Sequence, residues 1–155
     1  MGLPRELVIQ LAEELMGEHG LQTWSFKLDH AKNRLGACDY VSRTLSLSKH
    51  LVKNGDEAVI RETVLHEIAH ALVGPGHGHD VVWQAQARKL GVDPVASYRG
   101  DHAAQFFPRA KWALTCSNCA TVVAERHRRR MRSNDYACAR CGPTLGRLHW
   151  VEREL

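Results

Sequence analysis

Residues 66–70 read His-Glu-Ile-Ala-His. Two histidines four apart on a helix share one face, so both imidazoles can reach a single cation. A glutamate beside the first can lie next to that cation and hold its water, the logic of zinc hydrolases built on an H-E-x-x-H helix. On a wheel of about 100° per residue, His66 and His70 fall within about 40° of each other. Ile60, Val64, Ile68, Ala71 and Leu72 gather on the opposite side. One face can therefore dock on a core while both imidazoles point away from it together. Histidines that merely solvated a helix face would need no further ligand nearby.

Further ligands do stand nearby. The segment GPGHGHDVVW places His77 and His79 just after a glycine-rich turn. Three imidazoles and a water make the open tetrahedral site of catalytic zinc. The metal lowers the pKa of its water towards about 7, and Glu67 takes the proton as the water attacks a carbonyl. The glutamate can then pass that proton to the leaving amine. Either His77 or His79 could complete the set. His79 has two more residues of reach, roughly 7 Å of extended chain. It also stands where a second helix should begin, with Asp80 in the first turn and Trp83 one turn further on. Trp83 reads as core packing that orients His79.

Four of the five cysteines form a second constellation. Cys116 and Cys119, then Cys138 and Cys141, are two C-x-x-C pairs with 18 residues between them. That spacing suits a zinc ribbon held by four thiolates, a closed and hence structural site. Two Zn2+ ions per chain are expected, one catalytic and one structural. Between the pairs runs RHRRRMR, with Arg126, Arg128, Arg129, Arg130 and Arg132 near the tip of the ribbon's hairpin. These arginines are either a solvated tip or phosphate contacts, since guanidinium forks match phosphate oxygens. Trp112 and Tyr136 could stack on bases of a single strand, or could serve as the ribbon's miniature core. The fifth cysteine, Cys38, reads as a small apolar residue in a strand; ligation of the catalytic zinc by its thiol is the alternative.

These groups need elements to hold them. Leu7, Leu11 and Leu15 recur every four residues, which predicts an opening helix from Leu3 to Gly20. Three short extended runs follow: WSFKL, LGACDYV and TLSLS. The last alternates, with Leu45 and Leu47 on one face and Ser46 and Ser48 on the other. KHLVKNGD predicts a short helical link. The H-E-x-x-H helix should span Asp56 to about Val73, and a further helix about Asp80 to Leu90, capped by Gly91. Tyr98, Arg99 and His102 follow in an irregular stretch, and any of them could stabilise an oxyanion.

Composition sets the outer limits. A chain of 155 residues with 44% apolar and 25% charged residues can bury a core and is not a disordered tail. No apolar run approaches the roughly 18–20 residues that span a bilayer, and the N-terminus has no signal-peptide pattern. A cytoplasmic or nucleic-acid-associated protein without a membrane partner is expected. The formal charge of +4 is uneven: residues 1–98 carry a net −2, residues 99–155 a net +6. An acidic partner for the C-terminal third follows, with single-stranded DNA the candidate.

The stretch from LSLS through HEIAHALVGPGHGHDVVW to the paired C-x-x-C motifs resembles the SprT-like (Spartan-type) metalloproteases. HEIAHAL with a following H-x-x-x-W is the more specific part of that resemblance. It implies an α+β fold: a compact gluzincin-like protease core over residues 1–110 and a zinc ribbon over 111–155. It also implies that the histidine four before the aromatic, His79, is the third ligand, leaving His77 a loop residue. The strand RTLSLSK is then expected at a sheet edge, pairing with extended substrate. Eukaryotic members cleave proteins crosslinked to DNA and need DNA for activity, so a protein or peptide substrate, DNA-associated, is implied. The long C-terminal tail by which such relatives recruit partners is not expected here. Two other classes fit parts of the pattern. A metal-dependent nuclease would use three histidines but has less need of a glutamate that returns a proton to an amine. A non-catalytic nucleic-acid-binding zinc protein would have no use for the glutamate at all.

Overall fold

The computed structural model describes residues 2–94 and 104–154. The chain divides into two compact units at Pro108 and Arg109. Tyr98, Arg99 and His102 lie outside the described residues.

The first unit opens with helix α1 (Arg5–Glu18). Its buried stripe is Val8, Ala12, Leu15 and Met16, the i, i+4, i+7, i+8 pattern of a core-facing helix. Leu7, expected on that stripe, is exposed, because strict four-residue spacing drifts by about 40° per step around a helix of 3.6 residues per turn. Gly20 ends the helix at φ +78°, a conformation that favours glycine. Three strands follow: β1 (Ser25–Asp29), β2 (Gly36–Asp39) and β3 (Thr44–Ser48). They form one sheet in the order β1-β3-β2.

That order corrects the expected edge. β3 is the central strand, paired parallel to β1 and antiparallel to β2, so a substrate cannot pair along it. A parallel β1–β3 pair needs a crossover between them, and β2 lies within that crossover and returns along the far side of β3. Ser48 N donates to Leu35 O at 2.7 Å. By antiparallel alternation, residues 35, 37 and 39 therefore bond to β3, and the peptide groups of Gly36 and Cys38 face the open edge. The leucine and serine faces of β3 are both covered. Ser46 Oγ donates to Asp29 Oδ2 at 2.9 Å, and Ser48 Oγ to Ala31 O at 2.6 Å, which satisfies hydroxyls that would be costly to bury alone.

Ser48 also caps the short helix α2 (Lys49–Asn54). Asp56 caps α3 (Glu57–Val73), accepting from Val59 N, an interaction worth about 1 kcal/mol. Ile60, Val64 and Ile68 of α3 are fully buried against α1 and the sheet. Leu72 is half-exposed, since the helix leaves the core in its last turn. Helix α4 (Val81–Lys89) follows, and Asp80 is its N-cap rather than a first-turn residue, accepting from Val82 N and Trp83 N.

The second unit is a three-stranded antiparallel sheet, order β5-β4-β6, of β4 (Trp112–Cys116), β5 (Val122–Arg126) and β6 (Leu148–Glu152). A single turn, α5 (Gly142–Leu145), follows the second cysteine pair. The fold is α+β. No helix among the described residues is long and apolar enough to cross a membrane.

Candidate metal centre

The turn after α3 brings the histidines together. Gly74 and Gly76 take φ +84° and +94°, letting the chain reverse and deliver residue 79 over the helix it has just left. His79 Nε2 then lies 3.0 Å from His66 Nε2 and 3.2 Å from His70 Nε2. A tetrahedral zinc with bonds of about 2.0–2.1 Å holds its nitrogens roughly 3.3 Å apart. The triangle matches that size. Three imidazoles with their Nε2 atoms gathered at one point are a donor set for a borderline cation, and the residues present fit zinc.

Second contacts fix the rings. Burial pushes the His70 imidazole down to about 4, with His79 acting the same way, while a hydrogen bond to the His77 backbone opposes them. His70 is therefore neutral, and the backbone bond leaves Nε2 for the metal. The His70 carbonyl accepts both Gly74 N at 3.1 Å and Tyr40 Oη at 3.0 Å. Trp83, wholly buried, lies under all three imidazoles with ring centroids 4.6, 5.1 and 4.4 Å from His66, His70 and His79. Among the described residues its buried Nε1 has no hydrogen-bond partner, a cost of about 1–3 kcal/mol that packing against the rings must offset.

His77 stands apart from the triangle. Its Nδ1 lies 2.7 Å from Asp80 Oδ2, so the side chain braces the N-cap of α4 while its backbone serves His70. His79→Ala is expected to lose the metal from this site. His77→Ala keeps the backbone bond and should lower metal affinity by no more than about tenfold, the low end for outer contacts. Zinc content of the two purified variants measures this, and loss confined to the His77 variant would reverse the assignment.

Glu67 points elsewhere, into the protein against β2, and is 7% exposed. Burial pushes its carboxyl up to about 8, with the Arg34 guanidinium pulling the other way. A carboxyl whose proton affinity lies close to neutral pH can accept a proton and give it back. Cys38, half-buried, is raised to about 11 by burial and by Glu67, so it stays a thiol. It is not part of the histidine cluster. Tyr40 and the closeness of Glu67 to β2 were not legible in the sequence, because both depend on which strand lies beside α3.

In the second unit, Cys116, Cys119, Cys138 and Cys141 have their Sγ atoms within 4.8 Å of one another. Each pair makes the same turn. Ala120 N donates to Cys116 O at 3.0 Å and Gly142 N to Cys138 O at 2.9 Å, with φ +58° and +71° at the two donors. Asn118 Nδ2 donates to Cys141 Sγ at 3.3 Å. Hydrogen bonds with Thr121 lower the Cys119 thiol while its neighbour Cys141 is raised, so Cys119 is the thiol of that pair that ionises first. Arg126, Arg128, Arg129, Arg130 and Arg132 are all exposed, and among the described residues none of them forms an ion pair. Glu125 and Glu152 are taken by Arg153 and Lys111 instead. Arg129 lies over the Trp112 ring, 4.2 Å from its centroid, so that face is covered, while Tyr136 is exposed.

Comparison with known proteins adds three findings. No curated protein matches the chain. Among solved structures, the metallopeptidase zymogen jannalysin of Methanocaldococcus jannaschii is similar, with 19% identity, 53% of this chain and 79% of that one covered, and a TM-score of 0.47. A model of the SprT-like family matches residues 5–102, from α1 through the histidine cluster. With more than half of its length matched, the chain belongs to the SprT-like family.

Proposed function

We propose that the chain is a zinc-dependent endopeptidase in which His66, His70 and His79 hold the metal and Glu67 is the general base and acid. The observation that carries this reading is the triangle of His66, His70 and His79 Nε2 atoms, with the buried Glu67 carboxyl one residue from His66. When bound, zinc supplies Lewis-acid polarisation of the scissile carbonyl and a more acidic attacking water. Glu67 accepts that water's proton at a carboxylate oxygen and returns it to the departing nitrogen, which an amide needs and a phosphodiester needs less. Trp83 excludes water from beneath the imidazoles. The open edge of β2, at Gly36 and Cys38, offers backbone groups to an extended peptide.

The second unit supports a DNA-associated substrate. Five exposed arginines lie within seven positions, unneutralised by the neighbouring acids. Such a run contributes phosphate affinity that falls steeply with salt. Replacing Arg128, Arg129 and Arg130 by alanine should weaken single-stranded DNA binding and flatten the log–log salt slope by roughly 2, at about 0.7 per phosphate contact. A salt titration in which the triple variant tracks the parent would leave the run a solvated tip.

Incubating the zinc-loaded protein with a DNA-binding protein, with and without single-stranded DNA, tests the whole reading. Protein fragments, enhanced by the DNA, are expected. DNA fragments would establish a nuclease, and neither kind of fragment a non-catalytic binding protein.

A further inference from the structure

We propose that Gly36 is a positioning residue of the hydrolytic site: its lack of a Cβ leaves the volume in which the Glu67 carboxyl is packed. The inference rests on Glu67 being the base. A Cβ built on Gly36 would lie 2.8 Å from Glu67 Oε1 and 2.9 Å from Glu67 Cγ, and 3.0 Å from Ser46 O. Carbon atoms do not approach so closely without something moving. Ser46 belongs to the central strand, which is paired on both sides, so its carbonyl cannot yield. Glu67 must.

Nor can Glu67 yield cheaply. Cγ is only two bonds from the backbone, so shifting it means turning χ1, and on a helix the +60° well is blocked by the preceding turn. The neighbouring His66 keeps the backbone itself in place. Gly36 has no other evident reason to be glycine. It is absent from the residues at positive φ, and a glycine inside a strand weakens it relative to alanine. On backbone grounds alone, alanine would be the better residue. Other glycines with crowded Cβ positions, Gly2, Gly55 and Gly146, meet backbone carbonyls first. Gly36 meets the side chain proposed to move the proton.

The register makes the contact consequential. Gly36 opposes Leu47 and Cys38 opposes Leu45, so both lie on the strand face that α3 covers. Their peptide groups face the open edge, where an extended substrate would pair. The same residue would then set both the seat of the carboxyl and the closest approach of the substrate backbone to it.

The test compares four full-length proteins: the parent, Gly36→Ala, Glu67→Ala and the double variant. In the zinc-loaded enzyme, Gly36→Ala should lower kcat on the order of 100-fold, the scale of a misplacement of about 1 Å. KM and the two-zinc stoichiometry should change little. Denaturant midpoints of all four supply a readout independent of catalysis. Gly36→Ala should lower the midpoint clearly more when Glu67 is present than when residue 67 is alanine, where only the 3.0 Å approach to Ser46 O remains. Equal losses in both backgrounds, or a parent-like kcat, would overturn the proposal. Should Gly36→Ala alone fail to fold, folding of the double variant would support the proposal and its failure would refute it. An active Glu67→Gln enzyme with the midpoint coupling intact would remove the base assignment while leaving the packing relation standing.

Discussion

Glu67→Gln should reduce peptide hydrolysis by on the order of 10²–10⁴-fold, the usual contribution of a general acid–base group. The amide has the carboxyl's shape and cannot accept the proton. Both metals should remain, since Glu67 is not among the clustered ligands. The loss should fall on kcat with little change in KM, because the missing proton transfer belongs to the transition state. Stability supplies a second, independent sign. In the metal-free protein the Glu67 carboxyl is raised from 4.5 to about 8 by burial. Between those values the folded state holds a proton that the unfolded chain has released, so stability falls as pH rises through the window. Glutamine carries no such penalty. The metal-free variant should therefore unfold at a higher denaturant concentration than the parent, with the gap opening from about pH 4.5 to 8. Undiminished proteolysis by Glu67→Gln would sink the mechanism; an identical pH dependence of stability would show that the carboxyl is not buried as described.

Both clusters of candidate ligands, His66, His70 and His79 and the four cysteines, could be picked out because each is governed largely by short-range spacing. Four residues on a helix bring His66 beside His70 whatever surrounds them, and two residues between cysteines make a knuckle in any ribbon. The third histidine needed the geometry of a turn, and the glycines at 74 and 76 carried that signal. What the sequence concealed was set by pairing across the sheet. TLSLS alternates like an edge strand with one wet face, yet β3 is central and both its serines are buried by hydrogen bonds to Asp29 and Ala31. Alternation reports only that side chains differ between faces, and a satisfied hydroxyl is as acceptable inside as outside. The same limit hid Gly36 and Tyr40. Their roles exist only because β2 lies next to α3, a long-range fact without a local signature. The leucine spacing of α1 misled for a simpler reason: Leu7 shares a period with Leu11 and Leu15, but of the three only Leu15 lies on the buried stripe, with Val8, Ala12 and Met16.

Loss of the ribbon's metal should cost the second unit its fold. The unit is Arg109–Leu155, and its buried apolar core is Leu114, Cys116, Cys138 and Leu148, with Ala124, Met131 and Trp150 packed around it. Half of the residues of that cluster are thus candidate metal ligands. A unit of this size does not support itself on a core so small without a staple. Structural zinc contributes about 10–16 kcal/mol in comparable small sites, far above the few kcal/mol such a core supplies. Cys138→Ala should therefore halve the zinc content and collapse the dispersed amide resonances of β4, β5 and β6. Resonances of α1 to α4 should hold their positions, because the first unit has its own core. Cleavage of a short unstructured peptide should persist, while binding of single-stranded DNA should be lost with the surface that presents the arginines. His79→Ala gives the mirror image: one zinc again, the ribbon intact and peptide cleavage gone. Retention of the ribbon's resonances in Cys138→Ala would mean that the four thiols are not what holds it together.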